Sequence, residues 1–109
     1  MDVRAEDVQV LMQLMDFLTP RQRNMFLKSM NKKQMRVLEV ACFNLATNHR
    51  GLTKRQEELL SKFKRQIETI ASKEYKLGDK RKIVTQKGGF IGALLPLIGT
   101  VIGSFLASR

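Results

Sequence analysis

Along residues 6–74 apolar side chains recur every three or four positions, and no stretch before residue 82 sustains an alternation of apolar with polar. A period near 3.6 gathers such residues on one face of a helix, whereas a half-buried strand needs period two. The chain is therefore expected to fold from amphipathic helices. From Glu6 to Leu18 the stripe is Val8, Leu11, Met15 and Leu18, widened by Val10, Leu14 and Phe17. Thr19 reads as an N-cap with Pro20 at the first helical position, opening a short helix that turns Phe26, Leu27 and Met30 inward. Asn31 reads as the next cap. Lys32 to Asn48 then carries Met35, Leu38, Cys42 and Leu45 on one face, with Val37 and Ala41 beside them. Gly51 suits a left-handed close. Thr53 and Gln56 have capping-box spacing, and a fourth helix is expected from Lys54 to about Glu74, with Leu59, Leu60, Phe63, Ile67, Ile70 and Ala71 facing inward. Short connections favour antiparallel neighbours.

The expected fold is thus all-α, a small bundle of about four amphipathic helices over residues 1–76. A basic hinge is expected over residues 77–87 and an apolar glycine-rich tail over residues 88–109. A homo-oligomer would help so small a bundle cover its methionine-rich surfaces.

Charge divides the chain in the same way. Residues 1–19 carry net −3, residues 20–87 net +12 and residues 88–109 net +1, within a total of +10. A basic block of this density points to a polyanionic partner, either nucleic acid or an anionic membrane surface. Arg55, Lys62, Arg65 and Lys73 fall close to one face of the expected fourth helix, opposite Phe63, Ile67 and Ile70. Lys80, Arg81 and Lys82 follow on the expected hinge. Spaced cations of this kind neutralise phosphates without reading sequence. With one Tyr and no Trp, base stacking has little to work with. The expected ligand is therefore double-stranded DNA, bound non-specifically.

The tail runs from Phe90 to Ala107 without a charge. As a helix it would span about 27 Å at ~1.5 Å per residue, the short limit for crossing a bilayer. Gly92, Pro96, Gly99, Gly103 and Ala107 form a face free of bulk, and Gly99 and Gly103 make a GxxxG pair that permits close helix approach. Phe90, Leu94, Leu95, Ile98, Ile102 and Phe105 are the expected contacts to a membrane or capsid. Burial in the bundle's own core is the alternative.

Several classes of function are excluded or disfavoured. A single Cys and a single His rule out a disulfide scaffold and a Cys- or His-based metal cluster. Cys42 lies on a core stripe, and His49 has no acid or nucleophile near it in sequence. Gly88-Gly89 lacks the Lys-Ser/Thr of a phosphate loop. No secretory signal is visible, and a reduced intracellular compartment is expected. No enzyme activity and no cofactor are expected.

The segment Lys87-Gly88-Gly89 followed by Phe90-Ile91-Gly92-Ala93-Leu94-Leu95-Pro96-Leu97-Ile98-Gly99 resembles the C-terminal part of the adenovirus core protein X (mu) precursor. It also resembles related small basic proteins of adintoviruses and Maverick/Polinton elements. The similarity covers about residues 86–105; Leu52-Thr53-Lys54-Arg55-Gln56 and Lys80-Arg81-Lys82 resemble the upstream region of the element-encoded members more loosely. The resemblance implies a virion core or minor structural protein that condenses DNA, found in the virion and in the nucleus or cytoplasm of the host cell. It also implies proteolytic processing at Gly88-Gly89, before Phe90, although Gln86 stands where such proteases take an aliphatic residue. Two other readings stand beside it: a bilayer-perturbing or membrane-anchored protein, and a helical adaptor whose charge serves solubility.

Overall fold

The computed structural model describes residues 3–47, 51–86 and 90–107, with only the backbone described at residues 5, 86, 90 and 101–107. Among the described residues all regular structure is helical: α1 (Ala5–Phe17), α2 (Pro20–Lys28), α3 (Lys32–Thr47), α4 (Lys54–Lys62), α5 (Lys64–Ala71), α6 (Leu77–Gln86) and α7 (Phe90–Ala107). Reciprocal side-chain caps start three of them. The Thr19 hydroxyl accepts from the Gln22 N–H at 3.2 Å, and the Gln22 side chain accepts from the Thr19 N–H at 3.0 Å. Asn31 with Gln34 and Thr53 with Gln56 repeat the arrangement. Each pair satisfies backbone donors that a helix start leaves without partners. Gly51, three residues ahead of α4, sits at φ 83°, in the left-handed region that glycine tolerates.

The expected fourth helix is two. Phe63 interrupts it at φ −106° and ψ 15°. The hydrogen-bond ladder nevertheless runs through: the Phe63 N–H donates to the Leu59 carbonyl at 3.1 Å, and the Phe63 carbonyl accepts from the Ile67 N–H at 3.0 Å. The break is therefore a kink within one path. The expected hinge is also helical. Residues 77–86 form α6, with the Lys80 N–H closing the first turn on the Lys76 carbonyl at 3.1 Å.

The helix α3 is the centre. Its stripe of Met35, Leu38, Ala41, Cys42 and Leu45 is buried, packed against α1, α5 and α7. From α1 come Val8, Leu11, Met12 and Met15; from α5, Ile67 and Ile70; from α6, Val84. The first half of α7 adds Ile91, Leu94, Leu95, Leu97 and Ile98. Hence part of the expected tail belongs to the core. Pro96 lies inside α7 with its ring exposed, and, lacking an N–H, it cannot donate to the Gly92 carbonyl one turn back. The radius of gyration is 12.8 Å, close to the ~13 Å of a single folded domain of this length.

Candidate nucleic-acid interface

The basic run 80–82 sits on α6, where about 100° of rotation per residue sends neighbouring side chains to different sides. Lys80 points inward and is 1% exposed. Its ammonium pairs with a Glu39 carboxylate oxygen and donates to the Ser72 carbonyl at 2.6 Å. An ammonium removed from water is tolerable only when its donors are met in this way. Arg81 is half-buried and turns toward the corner between α2 and α3, where its Nε donates to the Met30 carbonyl at 2.7 Å. Its second nitrogen donates to the same oxygen. Lys82 alone of the three is exposed. Lys80 and Arg81 therefore fasten α6 to α3 and α2, and their cations are withdrawn from the surface expected to meet DNA.

Arg23 is withdrawn in the same manner. Its Nε donates to the Met15 carbonyl at 2.9 Å, one of the final carbonyls of α1 that lack an intrahelical donor. Its guanidinium lies beside Gly92, where a Cβ added to the glycine would stand 3.0 Å from the nearest nitrogen. Arg36 reaches Glu39 at 3.5 Å.

The remaining expected cations face solvent. Arg55 and Lys62, two turns apart on α4, are exposed, as are Arg65 on α5 and Lys73 in the connection to α6. The Lys62 ammonium stands 5.5 Å from the centre of the Phe63 ring, a cation–π contact. Arg55, Arg65, Lys73 and Lys82 have no ion-pair partner among the described residues. Lys28, Lys32, Lys33, Lys54, Lys64 and Lys76 are exposed as well.

The sequence reading missed Glu39, which no amphipathic pattern marks as functional. One signal was present: Glu39 is the sole acid between Pro20 and Gln56, and it stands beside the core stripe, between Met35 and Cys42. Such a carboxylate needs a cation. Cys42, one turn on, is fully buried. Burial pushes its thiol from the ordinary 9.0 up to about 12, with Lys80 opposing and Glu39 adding to the shift. A thiol so placed is protonated and inert at neutral pH.

Of the residues expected to meet a membrane or capsid, Leu94, Leu95 and Ile98 are buried in the chain's own core, at 0%, 8% and 1% exposure. They offer no surface while α7 stays docked. The side chains of Phe90, Ile102 and Phe105 lie outside the described residues, and so do Gly88 and Gly89. Over the described residues no helix is long and apolar enough to cross a membrane. Comparisons with protein-family models, with curated proteins and with solved structures find no match.

Proposed function

We propose that this protein is a small structural component of a virus or viral-type transposon that binds duplex DNA non-specifically through the outward cations of α4, α5 and the connection after them. One observation carries the reading. The fold takes Arg23, Arg36, Lys80 and Arg81 into internal contacts, yet leaves Arg55, Arg65, Lys73 and Lys82 in solvent without carboxylate partners among the described residues. Self-repulsion among such charges disfavours the compact state, and a polyanion relieves it by releasing its own counterions. The resemblance around Gly88-Gly89 supports the viral setting.

In this reading α7 serves first as part of the bundle. Docking to a membrane or capsid through Leu94, Leu95 and Ile98 then requires α7 to leave the core. Titration of a fluorescent duplex with the intact chain tests the proposal. Binding should be tight at low salt, and the logarithm of the association constant should fall linearly with the logarithm of salt, with a slope of about 0.9 per phosphate neutralised. Absence of binding at low salt would sink it. Vesicles of anionic lipid in place of DNA test the rival reading, which requires that the intact chain cause leakage.

A further inference from the structure

The helix α1 carries two apolar stripes. Val8, Leu11, Met12 and Met15 face the core. Val10, Leu14 and Phe17, spaced by four and three, face outward at 65%, 44% and 87% exposure. Such a ridge on the surface of a strongly charged protein is the kind of patch that marks a contact. Beside the ridge runs an open groove of about 1130 Å³. Val10 and Leu14 form one wall, and Phe26 and Val37 contribute apolar surface. Arg4, Lys32, Lys33 and Arg36, with Lys76 ahead of α6, outnumber Asp7 and Glu39 on its lining and leave it net basic.

The charges distinguish among occupants. The segment that bears the ridge is the acidic one: residues 1–19 carry net −3, whereas the rest of the chain is net positive. Glu6 and Asp16 are exposed on α1. DNA is repelled by this ridge. An acidic apolar ridge instead fits a basic apolar groove, and both features occur side by side on one surface of one chain. That is the requirement of a two-fold contact, in which one patch must complement itself.

We infer that the protein forms a homodimer in which the α1 ridge of each copy enters the groove of the other. Phe17 is the anchor, since a large aromatic side chain filling a pocket is the usual centre of such an interface. The acids of each α1 meet the partner's α3 cations, which orients the pair and discourages other registers. Two copies joined this way keep α4 and α5 of each free, and so double the cationic surface available to a polyanion. The dimer itself does not depend on DNA binding.

Size-exclusion chromatography with light scattering on the intact chain tests this without any ligand. At about 200 µM, well above a micromolar dissociation constant, the mass should be twice the monomer's 12.5 kDa. Phe17→Asp should raise the dissociation constant about thirtyfold or more, the equivalent of losing one anchor residue, read from a dilution series, with helicity unchanged and a thermal midpoint lowered only at concentrations where the wild type is dimeric. Val10→Glu on the same ridge and Lys33→Glu on the groove rim should also raise the dissociation constant. Phe43→Ser, at another exposed apolar position on α3, should leave the dimer intact. A monomeric wild type at that concentration overturns the inference. So does a dissociation constant left unchanged by both Phe17→Asp and Val10→Glu.

Discussion

The ammonium of Lys80 is buried against the carboxylate of Glu39, forty-one residues away in the chain. The two side chains are 2% and 21% exposed, so the cation is enclosed and its partner keeps a window to solvent. Removing the carboxylate while leaving the ammonium is therefore the costly change. Glu39→Gln should lower stability by about 3 kcal/mol, read as a lower urea midpoint. Lys80→Met keeps the volume and removes the buried charge, and should cost less than Glu39→Gln. Lys82→Ala, two positions on but exposed, should stay within about 0.5 kcal/mol of wild type.

The first half of α7 is core, so its removal should do more than delete a tail. A chain ending at residue 89 lacks Ile91, Leu94, Leu95, Leu97 and Ile98, all buried in the intact protein. It should lose its cooperative unfolding transition, measured by circular dichroism against denaturant. Leu97→Ala alone should cost about 2–5 kcal/mol. If cleavage occurs after Gly89, the released bundle would then depend on α7 remaining bound as a separate peptide.

Two glycines of α7 should respond in different ways to gaining a methyl group. Nothing lies within 4 Å of a Cβ at Gly99, and alanine in an open helix interior is favoured over glycine by about 0.8–1 kcal/mol. Gly99→Ala should therefore raise the thermal midpoint. At Gly92 the same methyl meets the Arg23 guanidinium at 3.0 Å, a group already tied to the Met15 carbonyl. Gly92→Ala should gain less than Gly99→Ala, or destabilise. The measurement also bears on the membrane reading, because close α7 pairing in lipid through Gly99 predicts that Gly99→Ala weakens association in micelles.

Cys42 gives a pH signature. Its thiol holds its proton in the folded state up to about 12, against an ordinary 9.0 once exposed. Above the unfolded value the native state binds a proton that the unfolded chain releases. The stability contribution is therefore complete below pH 9.0 and declines as pH rises toward about 12. The urea midpoint of wild type should fall more steeply across this window than that of Cys42→Val, in which lysine and tyrosine titrations remain as common background. A thiol reagent at neutral pH should react with Cys42 only when denaturant is added.

For DNA binding the exposed cations should act nearly independently. Arg55→Ala, Arg65→Ala, Lys73→Ala and Lys82→Ala should each reduce the salt slope by about 0.9 if that side chain meets a phosphate, with little change in the unfolding midpoint. The four together should weaken binding far more than Lys80→Met does at a temperature where both proteins are folded. Equal weakening by Lys80→Met would place the interface elsewhere.

The helices and their caps were legible because they depend on local spacing. Thr19-Pro20, Thr53 with Gln56, and the stripe Met35, Leu38, Cys42 and Leu45 are fixed by residues within a few positions of each other, and the structure uses all of them. The widening residues of α1 were less legible. Val10, Leu14 and Phe17 satisfy helical spacing as well as Val8, Leu11 and Met15 do, and a period does not say which of two apolar faces meets the rest of the protein.

The fate of the cations was not local at all. Lys80, Arg81 and Lys82 are adjacent and chemically alike, and composition alone makes them one basic patch. Their separation into a buried pair, a half-buried clamp and a solvent-exposed lysine follows from where α3 and the α2–α3 corner pass α6. Sequence by itself determined that this chain would be helical, where most helices would start, and that it would carry a surplus of positive charge. Tertiary structure alone decided which of those charges reach water and that the first half of the charge-free terminal helix is core, because both depend on contacts between residues tens of positions apart, which no local period encodes.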